Sequence, residues 1–207
     1  MSRPARETIM AALFASVIGS VQTKFAADTQ AGSNVLANPT TTQGLFLGLP
    51  VFGPAIKRGS VLTALSPLTI SQPASANALP VALTTGFLTT GRRLKQWSQV
   101  KEQPALYLRD GDEDITYPNV ILQQQTILAD IWIYSNAGED PDIAPAIMLN
   151  NLLDAVQAAF APDDSAQQRF TLGGLVFWCR VSGRVMKSPG DLDGQAIAVL
   201  PVEIITP

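Results

Sequence analysis

The sequence predicts an α+β fold: a mainly antiparallel sheet with two helices packed on one face, plus a long extended insertion between the first helix and the first core strand. Three observations predict it. Two segments repeat apolar residues at three- and four-residue spacing, which is helical, and others alternate them at spacing two, which is extended. The strand-like runs also follow one another without intervening helices, which favours antiparallel neighbours. At 207 residues the chain can bury a substantial core.

Residues 4–22 read as the first helix. Pro4 suits a first turn, and Ile9, Leu13, Val17, Ile18 and Val21 make one apolar stripe fit to lie on a sheet. The segment "MSRPARET" followed by "IMAALFASVIGSV" imitates a secretory leader, but its apolar run is too short to span a bilayer, and a soluble amphipathic helix is the expectation.

Residues 25–86 change character. Only Asp28, Lys57 and Arg58 are charged there, while Thr, Ser, Ala, Asn, Gly and Pro dominate. Such composition resembles a linker, yet "GLFLGLPVFG" and "SVLTALSPLTI" are too apolar for a solvated one. The expectation is an ordered insertion of short strands and turns, held by neighbouring chains rather than by its own core, with Leu45, Phe46 and Phe52 as contact candidates. The domain plan is therefore residues 1–24 as the helix of the core domain, 25–86 as the insertion and 87–207 as the rest of the core domain.

From Phe87 onward a regular texture returns. "GFLTTGRRLKQW" starts as a strand, and "PALYLR" is a short second one ended by the acidic turn "DGDED". In "VILQQQTILADIWIYS", Ile127, Ala129, Ile131 and Ile133 share one face of a long strand, opposite Leu128, Asp130, Trp132 and Tyr134. The second helix lies in "EDPDIAPAIMLNNLLDAVQAAFAPDD". Asp142 is its candidate cap, Pro145 fits its first turn, Met148, Leu149, Leu152, Leu153, Val156 and Phe160 form its stripe, and Pro162 stops it. "RFTLGGLVFWCRVSGRVM" and "QAIAVLPVEIIT" supply two more strands.

Composition narrows the chemistry. Charged residues are 15% of the chain, against roughly 25% in an average soluble domain, so much surface is uncharged and costs little to desolvate against a neighbour. The net charge of −3 lacks the basic excess of a protein that grips many phosphates. There is no histidine, which removes the commonest general base and zinc ligand together. The single cysteine, Cys179, cannot form an internal disulfide and sits in "LVFWCRV", where a buried structural thiol is expected.

Asp110, Asp112, Glu113 and Asp114 are the best metal-ligand candidates, but lack the spacing of an EF-hand loop, so a solvated turn is favoured. Glu139, Asp140 and Asp142 precede the second helix, where negative charge complements the helix dipole. "GRRLKQ" is no phosphate loop, and "TLGGLV" and "SPGDLDGQ" lack a dinucleotide fingerprint. No catalytic set and no cofactor is expected. Arg92, Arg93 and Trp97 read best as an interface corner. Successive arginines on an extended segment point to opposite sides, so at least one faces solvent or an adjacent subunit, and Trp97 suits a core or edge anchor.

The ordered series of a short N-terminal helix, "TTGRRLKQW", "EQPALYL", "DIWIYSNAGEDPD", "LNNLLDAVQAAFAP", "TLGGLV" and "GDLDGQAIAVLPVEI" resembles the tail terminator (tail completion, gpU-like) proteins of long-tailed bacteriophages. The resemblance covers residues 1 to about 22 and 87 to 207; the insertion departs from it. It implies a virion structural protein, assembled in the host cytoplasm, that forms a hexameric ring on the head-proximal end of the tail tube. Its implied partners are further copies of itself, the tail tube protein and the head-tail connector, with genomic DNA passing through the lumen unread and no membrane involved. Other readings are another neck or head-completion component, an enzyme in which Asp110 to Asp114 converge with Asp130 or Glu139 on a metal, and a glycan-binding module using Trp132, Tyr134 and Trp178.

Overall fold

The computed structural model describes residues 5–117, 124–136, 146–190 and 194–206. Helix α1 (Arg6–Val21) buries Ile9, Met10, Leu13, Val17 and Val21, the expected stripe with Met10 added and Ile18 only half-buried. Helix α2 (Ala146–Ala158) buries Leu149, Leu152, Leu153, Ala155 and Val156, and a last turn carries Phe160 edge-on to Phe170 at 5.6 Å. Pro4, Asp142 and Pro145, offered as helix-start signals, lie outside the described residues, as do Glu139 and Asp140.

The insertion is bracketed by β1 (Gln22–Thr29) and β5 (Ala78–Gly86), antiparallel partners from Gln22↔Gly86 to Thr29↔Ala78. Between them come β2 (Val51–Phe52), which pairs with the other edge of β5, and a small hairpin of β3 (Leu62–Leu65) and β4 (Leu68–Ile70). Phe25, Ala27, Leu36, Leu45, Val51, Leu62, Leu68, Ile70, Val81 and Leu83 bury one another there. This corrects the expectation that the insertion lacks its own core: short strands joined by polar turns each donate one or two apolar side chains to a common centre. Leu49 instead joins the main core, and Asn151 of α2 donates a hydrogen bond to the Gly48 carbonyl at 3.1 Å, so the insertion is fastened to the helices.

The main sheet comprises β6 (Thr89–Gly91), β7 (Ala105–Thr116), β8 (Gln124–Asn136), β9 (Trp178–Val181), β10 (Met186–Ser188) and β11 (Gln195–Thr206), in the order β10-β11-β8-β7-β6, with β9 also on β11. Its pairs are antiparallel except β6 with β7, which is parallel. The face bearing Leu106, Leu108, Ile127, Ala129, Ile131, Ile133, Ala198, Leu200, Val202 and Ile204 packs against both helices in one buried cluster, as the alternation in β8 predicts.

Two strand readings differ from the structure, each for a local reason. The acidic segment "DGDED" does not turn; it lies inside β7, where the register with β8 slips between Asp110 and Glu113. A bulge draws on the same residues as a turn, and a Cβ on Gly111 would come 2.9 Å from the Leu128 carbonyl oxygen. The stretch 169–186 is not one strand but β9, a turn and β10, broken at Gly183 with φ +95°. Pro201, mid-strand in β11, is tolerated because its carbonyl and missing N–H both point into the gap between β9 and β10, where Ser182 donates to the Pro201 carbonyl at 2.9 Å.

Candidate interaction surface

The corner expected to face a neighbour divides in two. Arg92 follows β6 directly, and its guanidinium turns back onto its own chain, 2.5 Å from Glu7 of α1 and 3.1 Å from Asp110 of β7. Its side chain is only 25% exposed. Burial works against the charge, but the hydrogen bonds and charges of Glu7 and Asp110 outweigh it and raise the pKa above the ordinary arginine value. Arg92 therefore ties α1 to the sheet edge within its own chain. Arg93 is exposed and keeps the outward position.

Trp97 opens a single 3-10 turn (Trp97–Gln99) whose Gln96 and Gln99 cap each other reciprocally. The turn lays the indole against the face of the sheet opposite the helices, 5.8 Å from the Tyr134 ring, which in turn meets Tyr107 edge-on at 5.7 Å and stacks on Trp132 at 6.3 Å. Tyr134 donates its hydroxyl to the Lys95 carbonyl at 2.8 Å, and Val100 and Leu94 complete the cluster. Burial raises the pKa of both tyrosines, helped for Tyr134 by Tyr107. Trp97 is thus an anchor for its own loop. Beside it lies an open cleft of about 290 Å³ lined by Thr89, Lys95, Gln99, Lys101, Glu102 and Tyr107.

Beyond this aromatic end the same sheet face has no covering layer among the described residues. Two ion pairs cross it, Arg109 to Asp130 and Arg180 to Glu203, both at 2.7 Å. Arg180 also stacks over Trp178 at 4.2 Å, and Leu128, in register with Glu203, and Phe177, next to Trp178, are exposed. In the insertion, Leu45 is buried at 5% exposure and serves the local core rather than a contact, whereas Phe46 at 39% and Leu47 at 62% reach solvent. Phe52 is partly exposed on β2, and Leu79, unflagged by the sequence reading, is 77% exposed on β5.

The acidic segment meets arginines. Glu113 accepts from Arg6 at 2.7 Å and from Gln125 at 2.6 Å, and Asp110 is held by Arg92. Among the described residues, no three His, Cys, Asp or Glu side chains form a group that could hold a metal ion. Cys179 lies in the main core, and burial, with a smaller contribution from Asp163, pushes its thiol up to about 12.

No protein-family model matches the chain, and no curated protein is significantly similar to it. No helix among the described residues is long and apolar enough to cross a membrane. The sequence reading missed the bond between Arg92 and Glu7, for 85 residues separate the partners and no spacing rule joins them.

Proposed function

We propose that this chain is a structural protein of a long-tailed phage or prophage virion, a ring-forming tail terminator. It caps the head-proximal end of the tail tube, stops addition of tube protein and presents a docking surface to the connector, while DNA passes through the lumen. The observation that supports it most is the one-sided sheet. Helices cover one face, while the other, beyond its aromatic end, offers ion pairs and apolar side chains with no covering layer of the chain's own among the described residues. Such a face is suited to burial against another subunit, and the low overall charge keeps that burial inexpensive in desolvation. The mechanism is steric: one side matches the last tube ring, the other does not repeat it, and polymerisation ends.

Deleting the gene is expected to give tails of uncontrolled length that fail to join heads. Tails of normal length that still join heads would overturn the proposal. Labelled protein on the head-proximal end of isolated headless tails is the expected location, and its absence there would move the chain to another neck component.

A further inference from the structure

The two edges of the main sheet carry opposite charge; the acidic one is open along β7 and the basic one along β10, while in β9 the Cys179 N–H already donates to the Phe170 carbonyl at 2.8 Å. On one side, β6 covers β7 only from Ala105 to Tyr107. From Leu108 to Thr116 the outer edge of β7 has no strand partner among the described residues, leaving backbone donors and acceptors free to pair. Residues 109–116, "RDGDEDIT", are all exposed and hold four carboxylates and one arginine, a net −3. On the other side, residues 178–188, "WCRVSGRVMKS", hold Arg180, Arg184 and Lys187 and no carboxylate, a net +3. Every residue of β10 is exposed, and β10 ends the sheet.

Internal pairing removes only part of each charge. Arg92 and Arg6 answer Asp110 and Glu113, and Glu203 answers Arg180, while Lys187 reaches the Asn150 amide oxygen at 3.2 Å. Asp112, Asp114 and Arg184 have no ion-pair partner among the described residues. A bare edge with unpaired backbone groups invites strand addition, and charge of one sign on it decides which edge can approach.

We propose that copies of this chain join head to tail through these edges, the open acidic edge of β7 in one copy meeting the basic β10 edge, with Arg184 beside it, of the next. Like edges repel, so the contact is heterologous, and a heterologous contact closes into a ring when its rotation allows. The inference deepens the ring-forming reading and rests on it for closure; the edge pairing itself is tested separately.

The purified full chain provides the test. The variant Asp112→Lys/Asp114→Lys has two basic edges, and Arg184→Glu/Lys187→Glu has two acidic ones. Sedimentation velocity should show each variant alone monomeric at concentrations where the wild type associates, and an equimolar mixture should regain association, because the altered edges complement each other in alternation. Self-association of either variant at the wild-type level, or no recovery on mixing folded variants, would overturn the proposal.

Cross-linking covers weak association, since Cys179 is buried and silent. Asp112→Cys or Asp114→Cys mixed with Arg184→Cys or Lys187→Cys should give mixed disulfide dimers under mild oxidation, while each variant alone gives none. Dimers from single variants, or none from any mixture, would count against it. If Arg184→Glu/Lys187→Glu lost retention on DNA without changing self-association, the basic edge would belong to nucleic acid and the edge pairing would fall. Tails still terminated by a protein that fails these tests would keep the terminator reading and sink the edge contact alone.

Discussion

Arg92 and Glu7 stand 85 residues apart in the chain and 2.5 Å apart in space. With Asp110 on the other side of the guanidinium, this contact pins the first turn of α1 to the edge of the main sheet. Arg92→Ala is expected to cost about 1–2 kcal/mol, since it removes two charge-assisted contacts from a partly buried side chain. The exposed Arg93→Ala should stay within ~0.5 kcal/mol of wild type. Urea denaturation midpoints of the two variants, at low and high salt, check the contrast.

Gly86 offers a sharper test. Its φ is +80°, and a Cβ there would lie 1.6 Å from the Val21 carbonyl oxygen, which is backbone and cannot swing away. Gly86→Ala should destabilise by more than about 3 kcal/mol or prevent folding, because steric overlap adds to left-handed strain. Gly173→Ala is the control: φ is +71° but nothing lies within 4 Å, so only backbone strain of about 1 kcal/mol is expected. Thermal melts of both should separate clash from strain.

Asp163 organises the loop after α2, accepting from the Thr171 backbone at 2.6 Å, the Thr171 hydroxyl at 2.9 Å and the Gly173 backbone at 2.7 Å. Burial would raise its pKa, but these bonds outweigh it and lower the value below that of a free aspartate. A lowered folded-state pKa contributes stability that is present above the unfolded value and lost as pH falls through the folded one. Wild-type stability minus that of Asp163→Asn should therefore be constant at neutral pH and shrink on acidification below about pH 4. Solvent access keeps the neutral-pH difference to about 1 kcal/mol or less.

Cys179 should be inert. Its thiol is buried and its pKa is pushed up to about 12, so almost no thiolate forms at neutral pH. Thiol-specific reagents are expected to label the chain only after denaturation, and rapid labelling of the native protein would contradict the packing around β9.

The parts of the fold legible in the sequence are those with one sustained period. The stripe of α1 and the alternation from Ile127 to Ile133 run long enough for a single face to emerge, and the structure buries that face. The core of the insertion escaped because Val51, Leu62, Leu68 and Ile70 sit on strands of two to four residues, too short to display any period. At the corner, local chemistry marked Arg92 as an ion-pairing group and Trp97 as an anchor, but their partners come from distant elements. Glu7 lies on α1 and Tyr134 on β8, so charge and aromaticity were readable while the address of each contact was not.

The pairing of Gln22 with Gly86 means that the insertion leaves and returns through adjacent strands, about 5 Å apart. Its entrance and exit share one doorway, and apart from Leu49 in the main core and Gly48 bonded to Asn151 of α2, its own cluster of apolar side chains packs separately from the main one. A lineage can therefore enlarge or trim the segments away from Gly48 and Leu49, altering what the body reaches for without re-threading the body itself.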